Sequence, residues 1–423
     1  MPLVRPFRGL GYARDRYPEL TDLVCPPYDV ITPAQQADLL ARHERNAIRL
    51  ELPPDPDPHA AAAATLAAWR ADGTLVLRGE PSVYHYHHGT ARRPDDLAVH
   101  GVLARVLLEQ LGGEVRAHEH TMAGPKADRL AHLCATRTQM SPILAVYFDS
   151  SSPPDPGRTE ADQWRAQDGD AILHVLAAAA PDDQLLDYLS RQRLFLADGH
   201  HRYETALTYQ AEVRSDPRWT DVPAGALPAD WIMAVLVNGE REELEILPTH
   251  RLILRANPEA LRALVADPGP LWRAIPTTPA ELVGQLESFS AGGAPAFGLV
   301  LPGAEGYLLV GDEQAVADRM LSEPGGPAVR GLDLAVLHAA LLGDRLGIDE
   351  AKLAAGGWLA YTRGEAEARA AVDRGEALAA ILVRPTQLEQ LAAVASAGDV
   401  MPQKSTYFYP KLLTGMVFNP LED

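Results

Sequence analysis

Arg193-Leu194-Phe195-Leu196-Ala197-Asp198-Gly199-His200-His201-Arg202 is the stretch on which the reading of this chain turns. Its first half is a short apolar run ending at a turn residue, which predicts a buried strand. Asp198-Gly199 is a turn, and Tyr203 to Val213 continues as a helix. A strand that passes through glycine into a helix leaves the first backbone N–H groups of that helix unpaired, at the positive end of its dipole. Gly199 permits the tight turn and the close approach of a ligand. His200, His201 and Arg202 add two switchable donors and one fixed cation, so the segment reads as a phosphate- or nucleotide-binding turn. Asp198, at the strand end, is suited to hold Mg²⁺ or to orient a histidine. The bland alternative is a helix-capping Asp198 with histidines that pack on their neighbours.

Outward from the turn the pattern is mixed. Thr32 precedes Pro33 as cap and first helical residue of a helix running to about Arg45, and an alanine-rich helix ends near Gly73. Ile48-Arg49-Leu50-Glu51-Leu52 alternates as a half-buried strand, as does Ser82 to His87. Gly101 to Leu108, Pro142 to Phe148 and Trp231 to Val237 predict core strands, and Lys126 to Ala135 a helix. Residues 290–311 read as a hairpin about Pro302-Gly303, Leu332 to Leu346 as an apolar helix, and Ala379 to Val383 as a strand. The expected class is α+β, with mixed sheets and flanking helices. The loop from Ser150 to Thr159 sets an expected N-terminal region of 1–150, followed by 151–255 with the turn and 256–423 with the tail, packed as one unit.

The length, 423 residues, and a 47% hydrophobic content allow a large core. No run reaches the roughly 18 apolar residues of a membrane span, and the first residues lack a signal-peptide pattern. Cys25 and Cys134, the two cysteines, lack a CxxC partner and read as small buried hydrophobes in a reducing cytoplasm. A net charge of −19 without a basic run argues against nucleic acid as partner.

Two further clusters carry chemistry. His118-Glu119-His120-Thr121, with Lys126 and Arg129 downstream, suits a general base (Glu119) beside phosphate contacts, and serves equally well as a solvated charged loop. His118 and Thr121 are candidate substrate contacts, as are His250 and Arg251 in Thr249-His250-Arg251, where a strand charge pair is the plain alternative. In the tail, Lys404, Ser405 and Thr406 lead into Tyr407, Tyr409 and Lys411, a set able to hold phosphates and stack on a base or simply to dock on the core. His85, His87 and His88 read better as structural strand residues than as a metal site.

The segments PPYDVI (26–31), HEHT with PKADRL (118–130), ADGHHRYETAL (197–207), LPTHR (247–251) and MPQKSTYFYPKLLTGMV (401–417) resemble an uncharacterised bacterial and archaeal family of unknown function over nearly the whole chain. The DGHHR turn is also similar to the Gly-polar-x-Arg turn of the ParB/sulfiredoxin superfamily. That resemblance implies a ParB-like core in which Gly199, His200, His201 and Arg202 bind phosphates. The turn has no cysteine, which removes sulfinic acid reduction, and the acidic balance removes DNA binding. The remaining branch, free serine kinases, implies phosphorylation of L-serine or a similar hydroxy compound. Mg²⁺ and ATP or ADP would be its cofactors, His200, Glu119 or Asp198 its catalytic groups, and Lys404 an added clamp. A nucleotide-binding regulator without turnover and a metal-dependent hydrolase built on the His/Glu clusters are the alternatives.

Overall fold

The apolar runs of the first half fold as strands of one sheet because each spans a core and is closed by Gly, Pro or Asp. The computed structural model describes residues 3–119, 123–151, 154, 163–219, 221–289, 293–303 and 305–422. Nine strands form this sheet: Val4–Arg5 (β1), Val83–His88 (β2), Val99–Leu107 (β3), Val115–Arg116 (β4), Ile143–Tyr147 (β5), Gln163–Gln167 (β6), Leu173–Ala179 (β7), Leu194–Asp198 (β8) and Trp231–Asn238 (β9). Their order is β4-β8-β5-β9-β3-β2-β7-β6, with β1 paired to β3. β8 runs parallel to β4 and β9 parallel to β5, while the other pairs are antiparallel. β9 is buried along its whole length, as its unbroken apolar run requires.

Contacts divide the chain into two units, the first Met1–Ala117, Thr121–Glu245 and Phe408–Asp423, the second His118–His120 and Ile246–Tyr407. In the first, helix α1 (Pro33–Arg42) starts at Thr32, whose side chain accepts from the Gln35 amide while Gln35 reaches back, as the Thr-Pro signal predicts. The strand expected at Ile48–Leu52 is instead a short helix, α2 (Ile48–Glu51). Asn46 explains the difference: its Oδ1 accepts from the Ile48 amide and its amide donates to the carbonyls of Asp22 and Val24. Ile48, Leu50 and Glu51 are all buried, so the alternation of types carries no two-faced strand. Helices α3 (Pro58–Ala71) and α4 (Ala123–Thr136) follow the expected positions, and α5 is Asp183–Ser190. Cys25 is buried as anticipated, but Cys134 is exposed, its thiol 3.6 Å from Glu212. The core joins Ile143, Leu196, Ile232 and Leu236 of the sheet to Tyr203 and Ala206 of α6 (His200–Arg214), which anchors both sides of the glycine turn.

The second unit has a six-stranded antiparallel sheet: His250–Ile253 (β10), Trp272–Thr277 (β11), Ala296–Leu301 (β12), Glu305–Gly311 (β13), Leu359–Thr362 (β14) and Ala379–Leu382 (β15). The order is β11-β13-β12-β15-β10-β14, over a core that includes Leu282, Val300, Ala368 and Leu382. The hairpin about Pro302-Gly303 is present, although 290–292 and 304 lie outside the described residues. The apolar segment from Leu332 is helical with a wide central stretch, Leu337–Gly343. The α+β expectation is met, and among the described residues no helix is long and apolar enough to cross a membrane.

Candidate functional site

β8 bends before it ends. Its register against β5 shifts between Leu196 and Asp198, an irregularity of the kind that re-aims a side chain at a strand end. Gly199 follows at φ +91°, and a Cβ there would meet Ile143 Cγ2 at 2.7 Å, so torsion and space both demand glycine. The turn opens α6, whose first N–H groups have no partners in the helix itself.

Three charges assemble around it. Arg202, one helical turn on, donates to Asp198 Oδ2 at 2.6 Å, to Ser141 Oγ at 3.1 Å and to the Pro142 carbonyl. Lys411 Nζ donates to the other oxygen, Asp198 Oδ1. The side chains are 13% (Arg202), 16% (Asp198) and 10% (Lys411) exposed, so the cluster is largely shielded from water. Burial pushes the Asp198 carboxyl up, but the charges of Lys411 and Arg202 prevail and bring it down to about 2. Burial likewise opposes the Arg202 charge, and Asp198, Asp29, Tyr28 and Glu51 more than restore it. Two cations share one carboxylate at a helix N-terminus, with Asp29 and Glu51 also acting on Arg202, and with His200 buried and His201 half-buried on the first turn. Asp198 does not fit Mg²⁺ in this arrangement, since each of its oxygens already carries a cation.

The other candidates fall into separate groups. Lys126 Nζ binds Glu204 at 2.6 Å. Arg129 is held by Asp128 at 2.6 Å, lies 3.8 Å from Glu51 Oε1 and covers the Tyr28 ring at 4.4 Å. Arg129 and Arg202 both line a cavity of about 60 Å³ in the first unit. In the second unit, His118 Nε2 is 2.8 Å from Thr406 Oγ1, Glu119 accepts from the Lys404 amide at 3.0 Å, and the Met401 amide donates to the His118 carbonyl. The Ser405 hydroxyl donates to Pro402, and His250 Nδ1 accepts from the Val383 amide at 3.2 Å. Arg251 is fully buried and donates to the carbonyls of Thr249, Gln403 and Lys404. Bonds to backbone carbonyls take the place of the plain strand charge pair. Thr121 and His120 lie outside the described residues. Among the described residues, no three His, Cys, Asp or Glu side chains are grouped to hold a metal.

Sequence reasoning missed three residues at the turn and cavity. Lys411 was in view within MPQKSTYFYPK but was not placed at Asp198, a pairing over 213 positions that no local pattern reveals. Glu51 was hidden by the strand reading of its segment, and Tyr28 sat unassigned inside PPYDVI.

Residues 4–335 match the family described as "Protein of unknown function (DUF1015)". No curated protein matches the chain. Among solved structures, a conserved hypothetical protein from Pyrococcus furiosus aligns at 13% identity and TM-score 0.35, over 71% of this chain and 89% of that one. A free serine kinase mutant in complex with AMP aligns at 12% identity and TM-score 0.38, over 73% of this chain and 87% of that one. SbnI with a C-terminal truncation, from Staphylococcus aureus, aligns at 13% identity and TM-score 0.36, over 75% and 87%. At these TM-scores the likenesses carry no argument about activity. The family match covers most of the sequence, and the chain belongs to the DUF1015 family.

Proposed function

We propose that this member of the DUF1015 family is a nucleotide-dependent phosphotransferase acting on a small hydroxy compound, with free L-serine the first substrate to try. One observation carries the reading: two shielded cations, Arg202 and Lys411, fixed on a single Asp198 at the N-terminus of α6. A phosphate at the turn meets backbone N–H groups and cations already fixed in position, so little ordering entropy is lost on binding. Phosphoryl transfer asks mainly for positioning and charge neutralisation, which this set supplies.

The roles divide by proton affinity. Asp198, ionised down to about 2, is too weak a base for work near neutral pH, and its part is to orient Arg202 and Lys411. His200, on the first turn of α6, takes the role of proton acceptor in this reading, with His201 a donor to phosphate. Lys404, Ser405 and Thr406, with Glu119 and His118, form a second polar group whose hydrogen bonds serve the second unit itself, and no transfer step is assigned to them.

Calorimetry with ATP and ADP, with and without Mg²⁺, tests binding, and ³¹P NMR with L-serine tests turnover. The expected result is saturable nucleotide binding that Arg202→Ala weakens by roughly tenfold or more, as for loss of one charge-assisted phosphate contact. Absence of binding to any nucleotide defeats the proposal. Tight binding with no product from any small hydroxy compound converts it to a nucleotide-sensing regulator.

A further inference from the structure

Lys411 reaches Asp198 from the tail of the chain, and the tail is pinned on both sides of it. Upstream, the Tyr409 hydroxyl donates to Asp170 Oδ2 at 2.6 Å. Downstream, the Leu413 amide donates to the Tyr86 hydroxyl at 3.1 Å. That hydroxyl lies 3.1 Å from His174 Nδ1, and His174 Nε2 lies 3.7 Å from Asp168 Oδ2. Asp168 and Asp170 belong to one turn between β6 and β7, so both pins end on the same short piece of backbone.

The downstream relay is sealed from water. Tyr86 on β2, His174 on β7 and Leu413 in the tail are all buried. The two strands pair with Tyr86 opposite Leu176, which sets Tyr86 and His174 diagonally across one face. The Tyr86 oxygen accepts from Leu413, so its own proton points to His174 Nδ1, and a neutral His174 then carries its proton on Nε2, towards Asp168. Burial raises the Tyr86 hydroxyl above its usual range, which keeps that proton in place. Burial pushes the Asp168 carboxyl up as well, but His174 and the amides of Ile172 and Asp170 bring it below the usual carboxylate range.

The turn itself is over-determined. Asp168 Oδ1 accepts from the amides of Asp170 at 2.9 Å and Ile172 at 3.0 Å, which leaves Oδ2 facing His174. Ala171 is held at φ +63°, a left-handed conformation that a side chain disfavours. A turn that only joined two strands would shed this strain with a glycine. Here the same bonds present Asp168 to His174 and Asp170 to Tyr409. A lysine has a long flexible stem and no direction of its own, so fixing the backbone on either side removes freedom that binding would otherwise have to remove.

We propose that Tyr409 with Asp170, and Tyr86 with His174 and Asp168, form a positioning bracket for Lys411 that sets its ammonium on Asp198, beside the α6 turn, before an anion arrives. These residues act through Lys411. The inference rests on the phosphotransferase reading only for what Lys411 does at the turn, and the fixing of Lys411 is tested apart from it.

The folded full chain is treated with limiting acetic anhydride, and peptide mass spectrometry compares Lys411 with the exposed Lys404. Tyr409→Phe, which removes a hydroxyl at the surface and spares the core, is expected to raise Lys411 acetylation about threefold relative to Lys404, the factor of one weak net hydrogen bond. Asp170→Ala should match it, while Asp170→Asn, which keeps an acceptor oxygen, should stay near the wild type. Tyr86→Phe leaves the buried Leu413 amide unmatched and should reach about tenfold. By calorimetry, Tyr409→Phe should weaken ADP binding about threefold in the native background and not at all in the Lys411→Met background. A merely structural tyrosine would weaken both alike. Unchanged Lys411 acetylation in Tyr409→Phe or in a folded Tyr86→Phe, or equal losses of ADP affinity in the two backgrounds, overturns the bracket. Raised acetylation in a protein that binds no nucleotide defeats the phosphotransferase reading alone, and nucleotide binding with unchanged acetylation defeats the bracket alone.

Discussion

Two shielded arginines, one in each unit, are handled in opposite ways. Arg202 in the first unit is ion-paired to Asp198 at 2.6 Å and its proton affinity is raised. Arg251 in the second unit is wholly buried, has no carboxylate at ion-pair distance among the described residues, and is brought down to about 10 by burial, with Tyr361 and Glu119 offsetting part of the effect. Backbone carbonyls of Thr249, Gln403 and Lys404 take its donors instead. A paired guanidinium beside a helix N-terminus stands with a second cation, Lys411, and the unpaired N–H groups of the helix. A guanidinium spent on carbonyls acts as a clasp, fixing β10 to the segment around Lys404 within its own unit. Burial of an arginine is thus no index of its task. Its acceptors are.

The contrast breaks most readily at Asp198. Asp198→Ala strands two shielded cations together and should cost about 3–5 kcal/mol in urea unfolding. Added phosphate or sulfate should restore more stability to this variant than to the wild type. A loss under about 1 kcal/mol, or no anion rescue, would mean that the cluster carries no uncompensated positive charge. Arg251→Met should cost less, about 1–3 kcal/mol, since only carbonyl partners are orphaned. Should it exceed Asp198→Ala, the clasp and not the ion pair is the stronger device.

Acid acts on both regions. His88 and His132 in the first unit and His338 in the second stand at about 3, and His250 in the second at about 4, each lowered first by burial. The unfolded value is near 6.5, so between these limits the unfolded chain binds more protons. The stability held by the neutral rings is complete above pH 6.5 and is lost as pH falls towards 3. Asp198 runs lower: its contribution is complete above the unfolded value near 3.9 and disappears as pH falls through about 2. Thermal unfolding should therefore weaken from pH 6.5 to pH 4 while the Asp198 cluster is still ionised, and a flat profile over that range would contradict the buried neutral histidines. The smallest effect is local: Thr32→Ala should cost about 1 kcal/mol through the lost cap of α1, checked by chemical denaturation.

Legibility followed interaction range. The turn was readable because strand, glycine and helix are contiguous, and Thr32-Pro33 announced α1 by its own side-chain chemistry. What escaped depends on distant partners. Alternation at Ile48–Leu52 mimicked a strand, and only Asn46 reaching back to Asp22 and Val24 makes it a buried helical turn that brings Glu51 to the cavity. Arg251 next to His250 reads equally as a strand charge pair, since sequence does not tell a strand residue which face will be covered.

Asp198-Gly199 has one more consequence, in the time domain of chemical ageing. Among aspartyl dipeptides, aspartate followed by glycine is the one most open to cyclisation, in which the glycine nitrogen attacks the side-chain carbonyl and expels water. That attack needs a carboxyl able to take up a proton and swing towards its own backbone. Here both oxygens are held by cations and the group stays ionised down to about 2. The same ion pairs that shape the turn keep its most perishable peptide bond from rearranging, and isoaspartate at this position becomes a measure of how long the molecule has spent unfolded.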